Sequence, residues 1–576
     1  MLMFTGISFL LFILIPINFL NVFLALFISL GVAFHIKRIK FSYDRWYEIV
    51  AFVLTNGYLT FAVFGFGLFI ESEILTYSIF VRVVIFLIGY VWMYYVFQSA
   101  LDMFNRLSNL KPASDFLNQK TYWKKWLLLF AITFSLMMLW QRAFNPIILY
   151  QDSPSFVRTF FARFSFGYTL MNHIIYRLAP NAQSALAGIA IAQILAFSAL
   201  SASILMYMHS RILMLKLKYA VTVAFLLPMI PPIGLISVTL MADFMVAISI
   251  LWITYVIIKI LQDGDAQRTS LCIQLCLCLV YMYFIKSNVM VVFFVIYPVL
   301  LVMFYKNKMK KMLVSMGAVI ALILFVRFPI HSLVGAVRDY NIDAARFFAG
   351  LHDMQATYYR GGTLSESSLE MLNNAIPNIE DLRDTFHPEA MAPRRREWMN
   401  REFVFREIST GEFIINYADT FVRNPWYMFS TMLHRTRHYW VVDPKNNITN
   451  HAPRHFNSGS AEYFGVVRGR NEHLEIIFAQ LRRATETHFG MTFFWRHGFW
   501  MALLLVSAGW VFLMREYKWL IAYIPVFAFM ATKFLTSAWL EYRYGLPIFF
   551  VGMFLPVVVL YIKQSRRESY NAIDNR

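Results

Sequence analysis

YAVTVAFLLPMIPPIGLISVTLMADFMVAISILWITYVIIKIL, residues 219–261, decides the fold. Two apolar runs, 219–237 and 243–261, meet near a single acid, Asp243, and the only other charge in the stretch is Lys259. Each run is close to the roughly 17–25 apolar residues that a helix needs to cross a bilayer. Pro228, Pro231 and Pro232 interrupt the first run. A helix broken inside a membrane must have its freed backbone buried in protein or facing water, because lipid offers no hydrogen bonds.

The same reading extends outward along the chain of 576 residues, of which 59% are hydrophobic and only 15% charged. Spans are predicted at 5–35, 48–70, 79–100, 124–142, 184–209, 219–237, 243–261, 269–286, 288–305, 312–328, 496–514, 518–537 and 545–563. The expected fold class is therefore an all-α polytopic membrane protein with about 13 transmembrane helices. The first block begins without a basic leader and reads as a retained span, either one long helix or a hairpin, and not as a cleaved signal peptide.

Charge gives the orientation. HIKRIK (35–40) with Arg45, the stretch from Arg106 to Lys125, Arg211 to Lys218, KNKMKK (306–311), REYK (515–518) and KQSRRE (563–568) are basic, and they alternate with loops poor in Lys and Arg. The positive-inside rule assigns all of them to the cytoplasm. The net charge of +19 follows largely from this retention, and no separate basic module with interleaved aromatics points to nucleic acid. The expected location is the plasma (inner) membrane, with the chain in contact with the lipid bilayer throughout.

The opposite faces then lie outside, among them the hydrophilic segment 329–495, too long for a plain loop. The expected domains are an N-terminal transmembrane part (1–328), an extracytoplasmic, mainly helical domain (329–495) inserted before the last three spans, the C-terminal helices (496–563) and a cytoplasmic tail (564–576). Within the insert, Ser367-Ser368-Leu369-Glu370 fits a capping box ahead of a short helix that Pro377 ends. Residues 411–425 and 472–486 read as helices. Asn424-Pro425 reads as an N-cap followed by proline at the first helical position of WYMFSTMLHRTRHYW. The segment 441–471 reads as irregular.

Few residues could carry chemistry. Asp152, in QDSPSF, stands where the fourth span ends; Phe156, Phe160 and Phe164 follow on one helix face, with Arg158 and Arg163 elsewhere. This pattern suits a membrane-surface helix near 153–178. Two readings of Asp152 stand: an acid beside a lipid-lined cavity, or the N-cap of that helix. Asp243 is either a site residue or a solvated turn. Arg543, in EYRY with Glu541, suits a bidentate phosphate contact or an interfacial anchor. Lys286 is a further isolated cation at the outer boundary. Cys272, Cys276 and Cys278 lie in one apolar run and read as packing residues. HRTRH (434–438) has His at i and i+4 but lacks the Glu of a zinc helix, so no metal site is assigned. No Walker A loop, GxSxG elbow or GxGxxG stands in a suitable context.

An acid before a surface helix (QDSPSF), a second acid (MADF), a large outer helical insert and an Arg-Tyr motif before the last span (EYRYGLP) together resemble the GT-C class of integral-membrane glycosyltransferases. Bacterial polytopic families related to that class are similar in two further respects. They carry a YTL-like stretch, here Gly167-Tyr168-Thr169-Leu170, and a Pro-led outer helix ending in Tyr-Trp, here NPWYMFSTMLHRTRHYW. The chain departs from the pattern in having one acid at 152, and Ser165-Phe166 where a His-Pro pair often stands. The resemblance implies a polyprenyl-phosphate-linked sugar donor and a glycan, lipid or protein acceptor. It also implies Asp152 as catalytic base, Arg543 or Arg158 on the leaving phosphate, and Asp243 orienting the acceptor or holding a divalent cation (Mg or Mn). The rival readings are a polysaccharide polymerase or ligase and a lipid-linked saccharide transporter or flippase.

Overall fold

A computed structural model describes residues 49–55, 79–107, 119–149, 157, 166–211, 216–262, 268–334, 340–380, 400, 402–436, 439, 458–467, 469–487, 490–536 and 542–574. The predicted span 5–35, most of 48–70, and the residues Asp152, Arg158, Glu541, Phe156, Phe160 and Phe164 lie outside them.

The chain is an all-α, multi-pass membrane protein. Its helices in the first part are α1 (Ile79–Leu107), α2 (Gln119–Ala143), α3 (Phe166–Leu178), α4 (Ala182–Arg211), α5 (Leu217–Met229), α6 (Pro231–Ser237), α7 (Ala242–Gln262), α8 (Thr269–Ile285), α9 (Ser287–Lys306) and α10 (Lys310–Phe325). The hydrophilic insert adds α11 (Tyr340–Tyr359), α12 (Glu366–Ala375), α13 (Thr410–Arg423), α14 (Pro425–Arg435), α15 (Ser458–Phe464) and α16 (Glu472–Thr485). The chain closes with α17 (Gly498–Leu513), α18 (Ile524–Thr536) and α19 (Leu546–Asp574). The one departure from an all-helical fold among the described residues is a two-residue antiparallel pairing of Phe144–Asn145 with Gly469–Arg470, and an isolated bridge beside it.

The expected 13 spans are not what the described residues contain. Seven helices are long and apolar enough to cross a membrane, or up to eight when α5 and α6 are taken as one broken span bent by 63°. Part of the difference is length. The runs predicted at 269–286 and 496–514 form helices of 17 and 16 residues. A third run, 219–237, is divided by its prolines into 13 and 7 residues. The predicted surface helix near 153–178 is described at residue 157 and as α3, whose Phe166, Tyr168, Thr169 and Asn172 are buried.

α7 is the centre of the bundle. It is apolar on every side, and nearly every residue from Ala242 to Ile260 is buried. A helix without a polar face is stable only where neighbours surround it. It packs against α4, α8, α18 and α19. Around it α2 packs on α4 and α5, and α17 on α19.

The broken helix is held by three devices. Proline has no N–H, so Pro231 and Pro232 leave the carbonyls of Leu227 and Pro228 without their helical donors. Ile230 N–H turns back to Leu227 O at 3.3 Å, and the indole N–H of Trp140 donates to Pro228 O at 2.8 Å. Gly234 makes room for that indole; a Cβ there would stand 2.1 Å from the Trp140 ring. Beyond α6 the chain runs extended beside Ile148. Ile148 N–H donates to Val238 O at 2.7 Å and Leu240 N–H to Ile148 O at 3.0 Å. Gln193 of α4 donates to Ser237 O (2.9 Å) and Thr239 O (3.2 Å) while accepting from the Tyr168 hydroxyl at 3.1 Å. The backbone that leads into Asp243 is thereby satisfied without water.

The insert carries a core of its own, formed by Phe347, Leu351, Met354, Met371, Leu372, Phe413 and Met428 among others. Its later part joins the main core, where Phe478 of α16 stacks on Trp140 at 3.8 Å. One predicted cap is corrected, and the other, Asn424 ahead of Pro425 at the first helical position, stands where it was read. α12 begins at Glu366, and its cap is Ser365, whose hydroxyl accepts from Ser368 N–H. The box read at Ser367–Glu370 therefore lies inside the helix. Asn424 precedes α14 but makes no capping bond. Its amide instead accepts from Thr363 N–H at 2.9 Å and donates to Thr363 O at 2.7 Å, tying the α13–α14 joint to the chain before α12.

Trp140→Phe removes the partner of a buried carbonyl and is expected to cost about 1–3 kcal/mol. Gly234→Ala drives a methyl into the indole and costs a similar amount by overpacking, about 1–3 kcal/mol. Denaturant unfolding of detergent-solubilised protein measures both. A normal midpoint for Gly234→Ala contradicts the seating of Trp140.

Candidate functional site: a cation cluster at one end of the bundle

Asp243 is the second residue of α7, where the partial positive charge of a helix N-terminus favours an acid. Its side chain is 6% exposed. A carboxylate buried this deeply is tolerated only when paired. Lys286 stands at the α8–α9 junction, where extended backbone (φ −164, ψ 148) ends one helix and starts the next. Its ammonium donates to Asp243 Oδ1 at 2.5 Å.

Arg543 comes from the 3-10 turn Tyr542–Gly545 that precedes α19. Its Nε lies 3.8 Å from Asp243 Oδ2, an electrostatic contact too long for a hydrogen bond. The guanidinium also donates to Tyr544 Oη at 3.1 Å and reaches Met241 Sδ at 3.0 Å. That turn is pressed against His497, whose ring would lie 1.9 Å from a Cβ at Gly545. Lys533, in the last turn of α18, is the third cation. Its Nζ lies 3.8 Å from the centroid of the Tyr544 ring, with Arg543 Cζ at 4.9 Å and Lys286 Nζ at 5.3 Å from the same ring. One phenol ring thus gathers cations from three places in the chain, an arrangement favourable to each by attraction to the ring face.

Of the residues singled out in the sequence, Asp243, Lys286 and Arg543 come together here. Asp152, Arg158 and Glu541 lie outside the described residues. The described chain runs up to Leu149, three residues before Asp152, and it is there that Ile148 bridges to Thr239 on the strand leading into Asp243. Lys533 and Tyr544 were missed in the sequence. A lone lysine inside an apolar span was signal enough, because such charges are costly and mark sites. Asp243, engaged by Lys286 and Arg543, is a counter-ion for cations in this geometry. Among the described residues no group of three or more His, Cys, Asp or Glu side chains could hold a metal ion. The three cysteines are free thiols in α8, two of them buried.

A second buried pair ties the insert to this site. Arg435 of α14 grips Asp353 of α11 with two bonds, Nε to Oδ1 at 2.8 Å and Nη2 to Oδ2 at 3.0 Å. Tyr417 of α13 donates to the same carboxylate at 3.1 Å. Arg435 Nη2 also donates to Leu535 O at 3.2 Å, satisfying a carbonyl at the end of α18 two residues beyond Lys533. In HRTRH, then, Arg435 is a buried clamp, His434 is buried, and His438 lies outside the described residues. Burial alone would raise the Asp353 carboxyl, but Arg435 and His352 together hold the group below the ordinary carboxylate range. Burial, and then the Asp353 charge, push the Tyr417 phenol up.

Fold and site together define a multi-pass helical membrane protein with a cation cluster at the ends of its spans. No known protein family, curated protein or solved structure matches the chain.

Removing one partner of a buried ion pair costs about 3–5 kcal/mol, since the other charge is stranded. Asp243→Ala is expected to lose that much, and Lys286→Met added to it to lose less than the separate effects summed. Additive losses in the double-mutant cycle would show that the two residues do not interact. Asp353 has a lowered pKa in the fold, so its contribution is complete above the ordinary aspartate value near about 3.9 and disappears as pH falls below it. Hydrogen exchange over 410–435 should accelerate below about pH 4 in the parent protein, and at every pH in Asp353→Asn.

Proposed function

We propose that this protein is a membrane glycosyltransferase that moves a sugar from a polyprenyl-phosphate donor to an acceptor on the outer face of the plasma membrane, in cell-envelope glycan or glycolipid assembly. The observation that carries the reading is the convergence of Lys286, Lys533 and Arg543 on the Tyr544 ring. A phosphate leaving a sugar needs fixed positive charge where its own negative charge develops. Three cations in a poorly hydrated setting offer that more strongly than the same groups in water.

Chain direction supports the outer assignment. The start of α7, the α8–α9 junction, the end of α18 and the start of α19 all lie at one end of alternating helices. The basic loops 211–218, 306–311 and 515–518 join the opposite ends. With the basic side in the cytoplasm, the cluster faces outward. The helical insert 329–495 then covers it from the extracytoplasmic side.

In the reaction, the acceptor hydroxyl attacks the anomeric carbon, the bond from that carbon to the phosphate oxygen breaks, and the lipid phosphate departs with the electron pair. The hydroxyl proton passes to Asp152, the general base. Arg543, Lys286 and Lys533 receive the phosphate charge, while Asp243 keeps Lys286 and Arg543 in place between turnovers. The energy resides in the sugar–phosphate bond, so nucleotide-binding motifs have no role. A polymerase or ligase reading draws on the same cations and is separated by the product, which grows by repeat units and not by one sugar.

The test is mass spectrometry of lipid-linked sugars and envelope glycans in cells with and without the protein. One sugar mass should vanish with its loss and fail to return with Asp152→Asn, although that variant inserts and accumulates normally. Arg543→Ala should weaken use of the donor more than of the acceptor. A full glycan profile in the Asp152→Asn strain removes the acid from the mechanism.

A further inference from the structure

α13 has two apolar faces. Phe413, Asn416 and Thr420 are buried in the insert, with Phe413 in its core. The other face carries Ile414, Ile415 and Val422, exposed at 57%, 70% and 78%, with exposed Ala418 between them. At 3.6 residues per turn these four fall within about 100° of one another, one continuous stripe. Large aliphatic side chains so open to solvent on one face of a soluble domain mark a surface that something covers.

The neighbouring helix indicates what covers it. α14 lies across the end of the membrane span that contains α18. Phe429 packs edge-on against Phe534 at 5.9 Å, and Arg435, six residues on, binds Leu535 O. Leu535 is itself 56% exposed, in the last turn of a helix long and apolar enough to cross a membrane. Trp426 precedes Phe429 by three residues, hence on a neighbouring part of the same face, and is 52% exposed. Trp426 therefore stands one turn from the side chain that packs on the end of the span, and Trp and Tyr accumulate where acyl chains give way to headgroups. Tyr427 follows directly, and Val422 is one helical turn's count before Trp426 across the Asn424 joint. Only the Asn424 joint separates the exposed stripe from the helix that packs on the end of α18.

We propose that the Ile414–Ile415–Val422 face of α13, together with Trp426 of α14, rests on the outer leaflet and holds the insert against the bilayer surface. The partner is the lipid surface itself: aliphatic side chains enter the acyl boundary and the indole sits among headgroups, while Arg423 beside them is paired with Asp419 at 2.9 Å. Such a contact works as an interfacial amphipathic helix does, by apolar burial. It is independent of the sugar-transfer reading, since it uses none of the cation-cluster residues.

Ile415→Cys and Val422→Cys, each carrying a nitroxide, test this in nanodiscs of phosphatidylcholine and phosphatidylglycerol. Glu370→Cys, at an exposed position of α12, serves as the aqueous reference, and unsubstituted protein gives the background from the cysteines of α8. Collision with oxygen relative to a water-soluble nickel chelate should be several-fold higher at 415 and 422 than at 370. Nickel accessibility equal to the reference would overturn the proposal. Exclusion of both reagents would overturn it too, by indicating a protein partner or a second copy. Both positions are surface-exposed, so the labels are carried without disturbing the core.

Discussion

A carboxylate taken out of water must find cations, and Asp243 is where the architecture meets that demand. Its side chain sits almost without solvent at the start of the most buried helix of the bundle. Isolated, such a charge would be too costly to keep. The cations that answer it come from separate parts of the chain: Lys286 between two spans, Arg543 ahead of the last one, and Lys533 within electrostatic range near the end of another. The ion pair therefore does what an apolar contact could not. It fixes the ends of α7, α8, α9 and α19 relative to one another and concentrates positive charge at the same place.

The same economy of polar groups governs the backbone nearby. Prolines break the helix before Asp243, and the two carbonyls they release are met by the Ile230 N–H and the Trp140 indole, while Gln193 and Ile148 serve the carbonyls that follow α6. The break is what allows the chain to turn and deliver Asp243 to the N-terminus of a new helix, where the dipole favours it. Were the helix continuous, residue 243 would lie in a helix interior, away from any N-terminus, with no such support.

The insert is joined to this end of the bundle by a second buried ion pair. Arg435 satisfies Asp353 within the insert and Leu535 O in the membrane part with one planar guanidinium. Lysine, with a single point of charge, could not hold both carboxylate oxygens and a carbonyl in that geometry. Because Leu535 lies two residues from Lys533, the insert and the cation cluster share one stretch of α18.

Much of this was legible in residues 219–261 and their counterparts. Apolar length reads directly as a membrane helix, because a bilayer has one thickness, and the alternation of basic loops follows from the charge bias across it. Asp243, Lys286 and Arg543 stood out singly, each as a charge at the edge of a greasy run. Their meeting did not, for they are separated by tens to hundreds of positions, and helix packing alone brings such positions together. Lys533 carried a signal of its own, as a lone lysine inside an apolar span, but nothing tied it to Tyr544, an ordinary anchoring residue until its neighbours are known. Among the described residues fewer helices are long enough to span than the apolar runs predict, because hydropathy measures apolar length and cannot see where proline pairs or short helices divide it. What the sequence by itself determined is a multi-pass helical protein with its charges at the ends of its spans. Only the tertiary structure decided which of those charges share a pocket, because pairing in a low-dielectric interior depends on distances of a few ångströms that no spacing along the chain encodes.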